Sequence, residues 1–424
     1  MGKNMKILVI GNGAREHALA WAISQNPRCT KLYCCPGNAG TAMLATNVDI
    51  DITSNNEIID ICIKHSIDIV VVGPEKQFEQ GLTNALKEKN ILVFGPTKEA
   101  SQLETSKAFT KVMCKRKNIP TGDYEIFSKE DAAKEFLRTQ PKPFVIKADG
   151  LAAGKGVLVS SDFEEGNQFI SSIFNGTIGT EKNKVIIEEY LEGQEMSVFF
   201  AIDRNTIKCI GSAQDYKRAF DHDRGPNTGG MGAFSPSPLL TEKNLNKIVN
   251  NIVKPTIEYM REIGSEFSGV LYAGLILDKD QPKLIEYNVR FGDPECQTMC
   301  IRLGAQILDI YFSGAKNELS DLSINEADDT AITVIVSEKG YPGKPKSGCD
   351  LSDIVNTVYD DELKIFHAGT YFENNCLRNT GGRIFSFTVR STNLKQAREI
   401  AYRQLNKIEN KNIFYRTDIG KSEG

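Results

Sequence analysis

The chain has 424 residues, 40% hydrophobic and 25% charged, with a formal net charge of -4. That is the profile of a soluble globular protein of roughly three domains, with no bulk charge to draw it to nucleic acid or a membrane surface. Ten scattered cysteines without a C-x-x-C pair, and four histidines without H-E-x-x-H, exclude a disulfide scaffold and a zinc hydrolase; they point to a reduced, cytoplasmic setting in which any metal has oxygen ligands. No apolar run approaches the ~20 residues that cross a bilayer, and the start leads into a strand without a signal-peptide pattern.

The first hundred residues alternate strand and helix. MKILVI (5–10) ends at Gly11, and REHALAWAISQN follows with helical spacing. KLYCC ends at Pro36, DIVVVGP at Gly73 and ILVFGP at Gly95, with a helix expected over 55–66. Apolar strands alternating with helices predict a parallel sheet covered on both faces, with ligands just beyond the strand carboxyl ends. A single helix is expected over 98–118, stopping before Pro120. PFVIKADG, GVLVS, a helix over 163–174 and KVIIEEYL then form a compact strand-rich unit. Long strands EMSVFFAID and TIKCIGSAQDY, a glycine-rich loop over 221–232 and a helix over 242–263 lead to GVLYAGLILD and KLIEYNVRF, which read as a hairpin. Residues 317–329 read as an acidic linker, and the remainder as a small α/β or β-rich domain.

Several segments suit chemistry. In GNGAREH, Gly11 and Gly13 let a ligand approach a helix N-terminus, where an anion is stabilised, but Glu16 replaces the third glycine of the dinucleotide fingerprint. Lys147 to Val157, KADGLAAGKGV, is not a Walker A loop: three residues separate Gly150 from Gly154, and Gly156 follows Lys155. It reads as a glycine hairpin able to close over phosphates, with Lys155 and backbone N–H groups as donors. In KVIIEEYLEGQE, which taken alone is a strand with solvated acids, the backbone at Glu189 and Leu191 offers an acceptor and a donor to an adenine, and Glu195 could take ribose hydroxyls. In LIEYNVRFGDPE, Glu286, Asn288 and Arg290 alternate, so a strand places them on one side. The first two are hard oxygen ligands for magnesium, and Arg290 can hold a carboxylate or a transferring phosphate. SAQDYKRAFDHDRGPNTGGMGAFSP, with Asp215, Lys217 and Arg218, reads as a structured binding loop. His65, His222 and His367 read as surface residues, and His17 as ambiguous.

Taken together, VIGNGAREHALAW, PGNAGT, VVGPE, FGPT, LETSKAFTK, VIKADGLAAGKGV, IEEYL, QDYKR, GPNTGGMGAFSP, YAGL, IEYNVRFGDPE, FHAGT and TGGR resemble, in order and over nearly the whole chain, the phosphoribosylamine–glycine ligase family of the ATP-grasp superfamily. The resemblance implies an α/β and α+β multidomain fold. Its parts are an N-terminal parallel-sheet (pre-ATP-grasp) domain over 1–105, a two-lobed ATP-grasp fold over 106–191 (small lid about 122–191) and 192–328, and a small C-terminal cap domain over 329–424. It implies ATP as cosubstrate, Mg2+ or Mn2+ on Glu286 and Asn288, and ligation of glycine to phosphoribosylamine through a glycyl-phosphate in purine synthesis. Lys107 and Lys147 would hold ATP phosphates under the loop Gly154, Lys155 and Gly156; Glu188, Glu189 and Leu191 would border adenine, and Glu195 ribose. Arg290 is the candidate for the developing oxyanion. Glycine is expected near Asp215, Lys217, Arg218, Asn227, Thr228, Gly229 and Gly230, with Gly292 and Asp293 beside them. The sugar phosphate is expected at Gly11, Gly13, Arg15, Glu16, Gly37, Asn38, Gly73, Pro74 and Glu75. LYAGLIL offers no acid for a second metal. Partners are expected to be these small molecules, with transient contacts to neighbouring purine-pathway enzymes, in a monomer or weak dimer. Competing readings are another ATP-grasp ligase, such as a biotin-carboxylase-like subunit, and a non-catalytic nucleotide-binding protein.

Overall fold

The computed structural model describes residues 4–152, 156–179, 184–325, 327–357 and 362–421; Gly154 and Lys155 lie outside them. Met5–Gly11 is the central strand of a five-stranded parallel sheet, in the order Thr46–Asn47, Cys29–Pro36, Met5–Gly11, Ile69–Val72, Leu92–Val93. It is buried except at Lys6, as a strand covered on both faces must be. The chain leaves it to one side for Cys29–Pro36 and later returns to the other for Ile69–Val72, so a crevice opens at its carboxyl end. There Gly11 lies opposite Pro36, and the Gly73 N–H bonds Ile10 O at 3.0 Å. The expected glycine turns thus share one edge.

The helix expected over 98–118 is broken. Gln102–Thr105 and Lys107–Lys117 flank Ser106, whose backbone is extended and whose Oγ accepts from Phe109 N. Asp149 competes for the same turn: its carboxylate accepts from Ser106 Oγ and from Ala108 N. A residue that can cap outbids helix continuation when a tertiary partner rewards the break. The helix expected over 242–263 is continuous but carries a π turn at Val249–Val253. Pro255, lacking an N–H, cannot complete the regular ladder there.

The lid is a four-stranded antiparallel sheet in the order Tyr124–Phe127, Val185–Glu189, Phe144–Ala148, Val157–Ser160. Helices Glu130–Leu137 and Phe163–Phe174 close its separate apolar core. The second lobe and the C-terminal domain share one nine-stranded antiparallel sheet. Its path runs Gln281–Asn288, Gly269–Asp278, Gln194–Ile202, Ile207–Asp215, Gly232–Ser235, Thr330–Glu338, Arg383–Ser391, Leu363–His367, and the ninth strand, Ile413–Phe414, pairs with Thr330–Glu338 off this path. The predicted hairpin is present, its turn made by Lys279 and Asp280 at positive φ. The C-terminal domain is joined to the second lobe by strand pairing. The glycine-rich loop contains a ribbon, Arg218–Phe220 against Arg224–Asn227.

His367 is not on the surface. It is buried against the N-terminal domain, where its backbone N–H donates to His17 Nδ1 at 2.9 Å. Burial pushes the His17 imidazole down to about 3 and His367 to about 4, so both stay neutral. His65 is half-buried beside Tyr33, and His222 is exposed. A Cβ on Gly40 would strike the His17 ring and lie 2.8 Å from His367 Cβ. Gly40→Ala should therefore lower stability by about 1–3 kcal/mol, an overpacking cost, in urea denaturation; an unchanged midpoint would mean this interface yields.

Candidate active site

The crevice is built where the lid, the second lobe and the parallel-sheet edge meet. On the lid, Val145 pairs with Glu188 and Lys147 with Ile186, so Lys147 and Glu188 come from adjacent strands. Glu188 Oε2 is shared by Lys147 Nζ and Lys111 Nζ, each at 2.9 Å. All three are buried. Burial opposes the Glu188 charge, but the two ammonium groups win and hold its carboxyl below the usual range. Glu188 Oε1 is buried without a hydrogen-bond partner among the described residues, an acceptor left over for a ligand. Lys147 Nζ also reaches Ile285 O at 3.4 Å, tying lid to second lobe. Lys107 begins the helix after the Ser106 break and donates to Gly150 O at 3.0 Å. Burial lowers its pKa, with Glu286 acting against that. At the lid edge Glu189 N–H is taken by Asp123 O at 2.8 Å, and the side chain of Glu189 is exposed. Leu191 follows that strand end.

Glu286 and Asn288 lie on Gln281–Asn288 opposite Gly274 and Tyr272. Neither side chain makes a hydrogen bond or ion pair among the described residues. Two hard, unengaged oxygen donors near Lys107 suit a small divalent cation that completes its shell with anionic ligands and water; the donor set fits. The expected alternation stops short of Arg290, because the strand ends at Asn288. Arg290 is instead held by Glu75, 3.1 Å from Nε, and Glu104, 2.7 Å from NH2.

One small cavity joins Glu195, Asp215, Lys217, Tyr272 and Glu286. Lys217 Nζ is 2.9 Å from Glu195 and 3.8 Å from Asp215. Burial raises the Asp215 carboxyl, and raises Glu295 nearby for the same reason. Ser197 Oγ donates to Tyr272 OH at 2.9 Å and approaches Glu295 at 3.4 Å. The Gly292 backbone abuts the Glu295 carboxylate.

Around Gly229 and Gly230, Arg383 of the C-terminal domain donates to Gly229 O at 2.7 Å and pairs with Asp293 at 2.8 Å. Thr228 Oγ1 donates to Lys217 O, Arg218 NH1 to Gly225 O, and Arg218 lies opposite Asn227 in the ribbon. At the parallel-sheet edge Glu16 Oε2 accepts from Gly13 N at 2.7 Å, and Arg15 Nε lies 2.6 Å from Glu16 Oε1. The chain's own carboxylate thus takes one N–H of this turn, that of Gly13. Gly73 also faces Glu16, with Pro74 just before the helix carrying Glu75. Gly37 faces Asn47 and Thr41, while Asn38 Nδ2 bonds Asn12 O and His367 O.

Sequence reasoning passed over Lys111, Glu104, Glu295 and Arg383. Lys111 had a signal, four residues after Lys107 on one helix face. Glu104 and Arg383 sat inside quoted motifs, but their partners lie far away in the chain.

Residues 5–104, 105–296 and 331–422 match, in turn, the N domain, the ATP-grasp (A) domain and the C domain of phosphoribosylglycinamide synthetase. A phosphoribosylamine–glycine ligase of Brucella melitensis is 43% identical over 98% of this chain and 97% of its own length. The chain belongs to the phosphoribosylamine–glycine ligase family. A chloroplastic phosphoribosylamine–glycine ligase of Arabidopsis thaliana is 43% identical over 96% of this chain and 78% of its own. The crystal structure of the Thermotoga maritima phosphoribosylamine–glycine ligase superposes with a TM-score of 0.84 at 30% identity, covering 98% of this chain and all of that one. A biotin carboxylase domain from Hydrogenobacter thermophilus reaches 0.73 at 16% identity over 98% and 92%, which shows the shared ATP-grasp fold.

Within this family fold, Lys111 is half of the charge that holds Glu188. Lys111→Met should cost about 3 kcal/mol, because it leaves a buried carboxylate with one partner fewer, and should raise the Michaelis constant for ATP. Denaturant titration and initial rates check both; unchanged values would show Lys147 alone suffices.

Proposed function

We propose that this crevice joins glycine to 5-phosphoribosylamine using ATP, giving glycinamide ribonucleotide, ADP and phosphate, in purine synthesis. The full-length family match, with Lys147 reaching Ile285 O on the strand that carries Glu286 and Asn288, carries the reading. The biotin-carboxylase alternative has only the fold in its favour.

The chemistry follows from charge. A glycine carboxylate oxygen attacks the γ-phosphorus while the bond to ADP breaks, so two anions must be brought together. Lys107 and Lys147 offset that repulsion at the phosphates. Glu286 and Asn288 would hold Mg2+ or Mn2+, which when bound supplies further neutralisation of the phosphates. Glu188, Glu189, Leu191 and Glu195 border the nucleoside. Support for a glycine site at Asp215 and Lys217 comes from their clustering with Glu195 and Glu286. The amine nitrogen of phosphoribosylamine then attacks the glycyl carbonyl, phosphate leaves, and the nitrogen loses a proton. Arg290 stabilises the oxyanion that develops. Gly11, Gly13, Arg15, Glu16, Gly37, Asn38, Gly73, Pro74 and Glu75 form the edge on which the sugar phosphate would dock. We place the protein in the cytoplasm as a monomer or weak dimer in transient contact with neighbouring pathway enzymes. In support, no helix among the described residues is long and apolar enough to cross a membrane, and the cysteines are free.

ADP release by the purified protein should require both glycine and freshly generated phosphoribosylamine, and Glu286→Ala should reduce it by about 10²-fold or more, the scale for losing charge stabilisation in a closed site. Asp215→Asn should raise the glycine Michaelis constant by about tenfold, the loss of one charge-assisted contact, with that for ATP unmoved. Turnover with a different acid would overturn the substrate; an unmoved glycine constant would overturn the glycine site.

A further inference from the structure

Arg290 lies past the end of its strand, so the pleat does not aim it. Two carboxylates do. Glu75 takes Nε, Glu104 takes NH2, and Phe291 O accepts from NH1 at 3.2 Å. Of five guanidinium N–H groups, one on each terminal nitrogen is left without a partner among the described residues. Glu104 grips the strand end twice: Oε1 bonds Arg290, and Oε2 accepts from Val289 N at 2.8 Å. It therefore fixes both the backbone entering Arg290 and the side chain itself. Its carboxylate is buried, with 6% of the side chain exposed. It belongs to Gln102–Thr105, just before the Ser106 break that presents Lys107.

We propose that Glu104 is the positioning residue of the ligase reaction: it holds Arg290 at the carbonyl where the acyl group is transferred, and couples that placement to the segment bearing Lys107. This rests on the ligase reading above. The role belongs to the second half of the reaction. A misaimed Arg290 leaves phosphoryl transfer intact but slows attack by the amine. Water then attacks the phosphorus of the glycyl-phosphate, its bond to the acyl oxygen breaks, and glycine and phosphate are released, the water's protons passing to phosphate and solvent. ADP is formed without product.

The experiment compares ADP and glycinamide ribonucleotide formed by the full chain and by Glu104→Gln, which keeps shape and removes charge. Product turnover should fall by about 10²-fold, the cost of misplacing one oxyanion donor. ADP per product should rise from about one to about three or more, while the ATP Michaelis constant stays within about twofold, as for an interaction made after ATP is bound. Glu104→Asp, which keeps the charge, should recover part of the coupling, and it carries the same ratio should Glu104→Gln not fold. A ratio that stays at one, whatever the loss of rate or melting temperature, marks a merely structural residue and overturns the proposal. Wild-type protein that makes no product from glycine and phosphoribosylamine overturns the ligase reading instead, a result visible before any variant is measured.

Discussion

A guanidinium cannot shed its proton, so one buried where separate segments meet has to be matched in place. Arg290 meets that demand with Glu75 from the parallel-sheet domain and Glu104 from the segment leading to the lid. The pairing fixes how those segments dock against strand Gln281–Asn288, and with that the geometry of the crevice. The same solution recurs around it. Lys111 and Lys147 share Glu188, Lys217 sits between Glu195 and Asp215, and Asp293 pairs with Arg383. The cations around the crevice are thus paired and oriented by carboxylates of the chain, many from a different element.

The continuous sheet extends this logic to the C-terminal domain. Because Thr330–Glu338 pairs with Gly232–Ser235, strand Arg383–Ser391 lies beside the second lobe, and Arg383 reaches the carbonyls of Gly229 and Gly230. The chain's final described segment does the same from the other side. Arg416, almost wholly buried, bonds Asp223 and Arg218 O, and Thr417 bonds Asp221. A glycine-rich loop that would otherwise be costly to order is held by partners nearly two hundred residues away.

Strand and helix periodicity made most of this fold legible, because the apolar pattern of a doubly covered strand or an amphipathic helix is local. It failed where a distant side chain decided the outcome. The break at Ser106 depends on Asp149, and the burial of His367 depends on His17; neither partner is near in sequence. The site follows the same division. Glu286 and Asn288 were legible because strand alternation places them. Arg290 was recognised by residue type but misassigned to the same alternation. Glu104 and Arg383 act through contacts that only tertiary structure creates.

At the turn after the first strand a local motif meets a carboxylate of the chain itself. A helix N-terminus attracts an anion because its first N–H groups lack partners. Here the Glu16 side chain accepts from the Gly13 N–H, and a Cβ on Gly11 or Gly73 would collide with that side chain. The glycines make room for the chain's own carboxylate. Any sugar phosphate at this edge meets Glu16, Glu75 and Asp293 alongside Arg15 and Arg290. A like-charge contact at ~4 Å in such partly buried surroundings costs on the order of 4 kcal/mol. Charge alone would therefore turn the phosphate toward the guanidinium groups and leave hydroxyls, which can donate, to face the carboxylates.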